Sequence, residues 1–204
     1  MKQIILICLS WNLLGGFSMA TEEPKFETIA VFGNVEIRQY GPLILAETEV
    51  EGDFGEAGNT GFRRIAGYIF GGNHQKQKIE MTAPVLQENS TKGEKIDMTA
   101  PVLQRMGLGK RIVSFVMPAD KTMENLPIPN DSQVVLKLVP SRKMAVLKYS
   151  GTWSEERYQE KLKELQTVLS EKNIKVKGEP LLARYNPPWI PWFLRRNEVL
   201  IEVE

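Results

Sequence analysis

Apolar and polar positions alternate with period two over residues 28–32, 35–40, 43–50, 111–117, 134–139, 143–150, 181–185 and 199–203, which predicts strands with one buried face. Gly33-Asn34 and Gly41-Pro42 supply the turns that join the first three. Elsewhere the period lengthens to that of a helix. Phe62, Ile65, Ala66 and Ile69 share one face of a first helix, and Gly71-Gly72 stops it. Tyr158, Leu162, Leu165 and Leu169 form a tighter stripe on a second, with Glu155, Glu156, Lys161, Lys163 and Glu164 turned to water.

Two repetitions decide how these elements combine. Lys78-Ile79-Glu80-Met81-Thr82-Ala83-Pro84-Val85-Leu86-Gln87 returns as Lys95-Ile96-Asp97-Met98-Thr99-Ala100-Pro101-Val102-Leu103-Gln104 after a polar turn-forming stretch. Each copy, with its late proline, suits a short edge strand or a strand running into a bend. A fainter repetition sets residues 46–56 beside 145–155. In both, a strand ends at glycine (Gly52, Gly151), an aromatic follows two residues later (Phe54, Trp153), and Asp53 or Thr152 stands three residues before Glu56 or Glu155 as a helix cap. The prediction is an α+β fold: a pseudo-duplicated, mostly antiparallel sheet curved into a distorted barrel, with two main helices packed outside and a mouth for a ligand.

The first residues follow another pattern. Lys2, an apolar run over 4–14, Gly15-Gly16 and Ser18-Met19-Ala20 have the layout of a secretory signal peptide. The run is shorter than the ~20 residues of a spanning helix, so residues 1–20 are expected to be removed and 21–204 to form one domain with no membrane span. That domain is exported, to the periplasm in a bacterium and otherwise along the secretory pathway. Cys8, the only cysteine, leaves with the leader, so stability must come from packing. Removing Lys2 takes the 26 basic residues to 25, against 25 acidic ones. A neutral chain with no basic run is not expected to bind nucleic acid.

Three segments together resemble the SOUL haem-binding protein family: residues 62–73 (Phe-Arg-Arg-Ile-Ala-Gly-Tyr-Ile-Phe-Gly-Gly-Asn), the Met-Thr-Ala-Pro-Val motif, and the tail from Tyr185-Asn186-Pro187-Pro188-Trp189 to Arg195-Arg196-Asn197-Glu198-Val199. The resemblance extends from about Phe26 to the end. It implies a duplicated barrel with two helices and a surface pocket for haem or a related porphyrin, held non-covalently through apolar walls and without a fixed axial histidine.

Haem needs apolar walls, cationic partners for two propionates, and at most one or two axial ligands from His, Cys, Met or Tyr. His74, the single histidine, is the candidate iron ligand, although its polar loop equally suits a plain exposed histidine. Met81 and Met98 are soft alternatives that would more commonly fill a core. Tyr68 could ligate or stack. At ~100° per residue, Phe62, Ala66 and Ile69 point to the buried side, which leaves Arg63 on the flank next to Phe70 as the propionate partner and Arg64 nearly opposite. Gly58, Gly61 and Gly67 either admit a flat ligand to the backbone or let the helix approach the sheet. Trp189, Trp192 and Phe193, stiffened by Pro187, Pro188 and Pro191, could roof a cleft, meet a partner or close the barrel end. The expected haem-binding set is Arg63, Ala66, Gly67, Tyr68, Phe70, His74, Met81 and Trp189, around a slot beside the first helix.

Catalytic signatures are missing from the sequence: there is no Gly-x-Ser-x-Gly, no His-Glu-x-x-His, no phosphate loop and no thiol outside the leader. The expectation is an exported porphyrin-binding protein without catalytic residues. A general amphipathic-ligand module and a protein or membrane interaction domain using the Trp189 loop are the alternatives.

Overall fold

A computed structural model of the protein describes residues 21–75, 93–106 and 110–204. The expected leader and the first Met-Thr-Ala-Pro-Val copy, with Met81, lie outside them. Strands Phe26–Phe32 (β1), Val35–Tyr40 (β2) and Leu43–Val50 (β3) precede helix α1 (Phe54–Ile69). Then come Asn73–His74 (β4), Val102–Met106 (β5), Arg111–Val116 (β6), Ile128–Pro129 (β7), Val134–Val139 (β8) and Arg142–Ser150 (β9). Helix α2 (Glu155–Glu171), Leu181–Arg184 (β10), a 3-10 turn at Trp192–Leu194 and Arg196–Val203 (β11) complete the chain. No helix among the described residues is long and apolar enough to cross a membrane.

Nine strands form one antiparallel sheet in the order β1-β2-β9-β11-β10-β5-β6-β3-β8, while β4 and β7 pair separately. The order exposes the duplication. Strands β2, β3, α1, β5 and β6 correspond to β8, β9, α2, β10 and β11, and the halves meet where β5 pairs with β10. Each half's first strand crosses over to pair with the other half's long strand, β2 with β9 and β8 with β3.

At both strand-to-helix corners the glycine is in the left-handed region, Gly52 at φ 119° and Gly151 at φ 139°, which a side chain would strain. Asp53 caps α1 as expected, accepting from the Glu56 N–H at 2.8 Å. Thr152 does not cap α2. Trp153 is held outside the helix by its indole N–H, which donates to Asn197 Oδ1 at 2.8 Å, and the cap passes to Ser154, which accepts from the Arg157 N–H at 3.3 Å.

The sheet curves but does not close. Leu138 and Val139 of edge strand β8 share a cleft with Arg142 of β9 and Glu202 of β11, so the β8 edge curls toward strands of the other half. Yet Leu138 and Lys25, which precedes edge strand β1, line a solvent cleft with segment 117–119 between them rather than a ladder. Nor is the second Met-Thr-Ala-Pro-Val copy at an edge. It runs into β5 at Val102, between β10 and β6, and Pro101 stays just ahead of the ladder, where its missing N–H takes no bond from the pairing.

Alternation along the strands splits the core. One face meets the helices: Leu162, Leu165 and Leu169 of α2 pack on Val35, Leu147 and Val199, and Ile65, Tyr68 and Ile69 of α1 pack on Ile44, Val113 and Phe115. The other, concave face carries Leu45, Leu103, Met144, Leu181 and Leu200.

Helix α1 lies close to the sheet because of Gly61, where an added methyl would sit 2.5 Å from Val113 Cβ. Alanine gains about 1 kcal/mol of helix propensity, but overpacking costs about 1–3 kcal/mol. Gly61→Ala is expected to lower Tm by a few degrees in a thermal melt; an increase would mean that the helix has room to move outward.

Candidate functional site

The outward face of α1 follows from which residues the sheet takes. Phe54, Ala57, Gly58, Gly61, Ile65, Ala66, Tyr68 and Ile69 are buried, so the buried direction is turned by roughly a quarter-turn from the one expected around Phe62, and Ala66 lies at its margin. Gly58 and Gly61 cause the turn, since a helix settles on the side without side chains. Phe62 is left at the margin, one side tilted against Phe115 at 5.3 Å between centroids and 39% exposed.

This reverses the expectation for the two arginines. Arg64 is the flanking one: its guanidinium donates to Thr48 Oγ1 at 2.9 Å and the Glu49 carbonyl at 3.1 Å, and lies 3.5 Å from Asp131. Arg63 points outward and makes one long bond, 3.4 Å to Thr60 Oγ1. Around it the helix presents Phe62, Gly67 and Phe70, the last 58% exposed, whereas the expected Ala66 is buried against the sheet. A side chain built at Gly67 would meet nothing within 4 Å, so this stretch of backbone is open, with Phe70 and the Arg63 cation beside it.

Tyr68 does not belong to that face. It is 2% exposed and its hydroxyl donates to the Pro127 carbonyl at 3.0 Å, which removes it as a stacking or ligating group. Burial, and then the charge of Glu94, push its phenol up to about 12. His74 is exposed in β4, beyond the C-terminal end of α1. Its Nδ1 lies 2.7 Å from Asn130 Oδ1, which, accepting there, leaves the lone pair on Nε2, the arrangement that orients a ligating histidine. Met98 is half-exposed rather than core.

Trp189 is 79% exposed. Its loop is anchored where the helices begin, through Arg195 stacked at 4.2 Å on Trp153, rather than over Phe70 and His74. Three clefts formed by the described residues stand out and none of them is lined by α1, so the slot expected beside that helix is not among them. One of them, about 300 Å³, has Leu45, Leu103 and Leu181 as its apolar lining. Its rim holds Glu47 within 3.7 Å of both Arg105 and Lys137, and Arg142 at 3.7 Å from Glu202.

The tail residues Arg196 and Glu198 pair locally at 3.6 Å, and each also reaches a distant partner. Glu198, 1% exposed in β11, receives Arg38 Nη1 at 3.1 Å from 160 residues away and the Tyr185 hydroxyl at 2.6 Å. Arg196 holds Glu23 in a two-pronged bond at 2.5 and 3.2 Å. Arg38 and Glu198 are 160 residues apart, and the register of β2, β9 and β11 brings them together, while Tyr185 arrives from the end of β10, the neighbour of β11.

Burial also pushes the Tyr149 and Tyr158 phenols up to about 12. With Tyr68 these groups stay neutral in the fold but ionise near 10 once exposed. Their contribution is therefore fully present below pH 10 and lost as pH rises toward 12. Denaturant midpoints are expected to fall steeply across that window, less so in Tyr68→Phe; a flat profile would contradict the assignment.

The sequence profile described as SOUL heme-binding protein matches residues 21–202. Two curated relatives are each named Heme-binding protein 2. The human one is 31% identical over 170 residues, covering 82% of this chain and 77% of its own. The mouse one is 29% identical over 180 residues, covering 83% and 82%. Among solved structures, the EcmrR C-terminal domain matches with a TM-score of 0.52 at 8% identity, over 83% of this chain and 96% of its own. A structure titled as a hydrolase from Listeria innocua matches at 0.50 and 13% identity, over 92% and 95%. At such identities these two likenesses concern the fold alone.

Proposed function

The chain belongs to the SOUL heme-binding protein family, and from that premise we propose that it binds haem on the outward strip of α1 and acts as an exported carrier or sequestering protein without a catalytic step. Haem supplies a flat apolar macrocycle, two propionates and an iron. The residues present fit it: the bare backbone at Gly67 offers a flat contact, Phe70 stands beside it, and Arg63 is placed for a propionate. His74, through Nε2, is the described residue suited to the iron. The single observation that carries the reading is the empty space above Gly67 beside exposed Phe70 and Arg63. Export rests on the leader-like residues 1–20.

Titrating haemin into micromolar protein is expected to shift the Soret band at near-stoichiometric ratios. Arg63→Glu should weaken binding about tenfold, or about 1.4 kcal/mol, and His74→Ala should move the band position more than the affinity. An unchanged wild-type spectrum, or equal affinity in Arg63→Glu, would overturn the assignment.

A second reading, a small amphipathic ligand in the concave cleft, is favoured by its apolar lining and charged rim. Leu103→Trp would fill that cleft. Under this reading it removes ligands recovered by native mass spectrometry while leaving haemin binding intact.

A further inference from the structure

The segment from Pro187 to Leu194 takes no part in the strip on α1, and its construction calls for an explanation of its own. Trp189, Trp192, Phe193 and Leu194 are 79, 58, 57 and 64% exposed. Four large apolar side chains in one short loop place on the order of 500 Å² of apolar surface in water, at the upper end of what a monomer shows without a role for it. Trp192 and Phe193 meet edge-on at 5.6 Å, so they hold each other outward.

Much of the loop's backbone is bonded within the loop. Pro187, Pro188 and Pro191 have no N–H to place. The Ile190, Leu194 and Arg195 N–H groups donate to the Pro187, Pro191 and Trp192 carbonyls at 3.2, 2.9 and 3.2 Å. The Arg195 guanidinium takes the Ile190 and Pro188 carbonyls at 2.7 and 2.6 Å. The same guanidinium stacks on Trp153, whose indole is tied to Asn197. The result is a stiff aromatic tip bolted to the sheet, with five carbonyls bonded internally and no charged side chain between Asn186 and Leu194.

We propose that this tip inserts into the interfacial layer of a lipid bilayer. Unpaired backbone groups become costly where lipid replaces water, and five of this loop's carbonyls already have partners. Indoles favour that depth, where one edge stays wet and the ring is apolar. A stable protein partner needs about 800 Å² on each side, more than this tip offers, and bonded carbonyls leave little for an added strand. Because the loop carries no charge, the attraction does not depend on anionic lipid. The proposal stands apart from the haem reading, which uses other residues.

The test is flotation of the purified full chain with phosphatidylcholine vesicles, together with its indole emission. The protein is expected to float with the vesicles and its emission to move to the blue, with little change when salt rises from about 0.1 to about 1 M. Trp192→Ala/Phe193→Ser, which exchanges exposed groups and should keep its melting temperature, is expected to lose at least tenfold in partitioning. Arg195→Ala keeps every aromatic but frees the loop, and several-fold weaker partitioning is expected. Four results would overturn the proposal: a wild-type chain that stays with the aqueous phase, equal flotation of the double variant, flotation abolished by salt, or self-association that the double variant abolishes, which would assign the tip to a second copy of the chain.

Discussion

Glu198→Ala is expected to cost about 3–5 kcal/mol of stability and lower Tm by roughly 10 °C. Glu198 and Arg38 are 1% and 5% exposed at the side chain and 3.1 Å apart. Burial works against the Arg38 charge, and the bonds from Glu36 and Tyr40 together with the Glu198 charge hold it nonetheless. Removing Glu198 strands that charge, keeping the Glu36 contact at 2.7 Å, and leaves the Tyr185 hydroxyl without its 2.6 Å acceptor. The cost measures a broken pair rather than the net value of an intact one. Replacing both members, as in Arg38→Met/Glu198→Leu, should therefore recover part of the loss. Calorimetric melts of the single and double variants decide it: a single-variant loss below about 1 kcal/mol would mean that water reaches Arg38 readily.

Gly67→Leu is expected to make the protein more stable and a poorer haem binder at once. Glycine inside a helix is unfavourable by about 1 kcal/mol, and a leucine at 67 would meet open space, so Tm should rise by about 2–3 °C. The same side chain would stand on the floor where the porphyrin rests, and haemin affinity should fall by roughly tenfold or more. Opposite signs in the two measurements separate a binding surface from a structural one. If stability rises and affinity holds, the floor lies elsewhere.

The local rules of the chain were legible and the long-range ones were not. The repeated strand-glycine-cap corners at Gly52 and Gly151 foretold the duplicated fold, because a left-handed corner and a helix cap are written in neighbouring residues. The crossover of β2 and β8 into opposite halves leaves no local trace, and neither does the gap that keeps β1 from β8. At the candidate site, the sequence named Arg63, Ala66, Gly67 and Phe70 but not the orientation of the helix, which buries Ala66. Counting large apolar residues put Phe62 inward, whereas the missing side chains of Gly58 and Gly61 decided which side approached Val113. Tyr68 failed as a ligand candidate because its hydroxyl partner, the Pro127 carbonyl, lies 59 residues away. The Arg195-Arg196-Asn197-Glu198 tail drew notice as a signature, and its work proves to be fastening: Arg195 to the loop, Asn197 to Trp153 and Glu198 to Arg38.

The position of haem on the molecule is best tested by paramagnetic line broadening, with amide signals recorded as haemin is added in less than stoichiometric amount. Iron seated over the outward strip of α1 should erase the signals of Arg63, Gly67 and Phe70 first and leave Leu103 and Leu181, on the opposite face of the sheet, sharp. Early loss at Leu103 and Leu181 with Gly67 unaffected would move the ligand into the concave cleft and contradict the account.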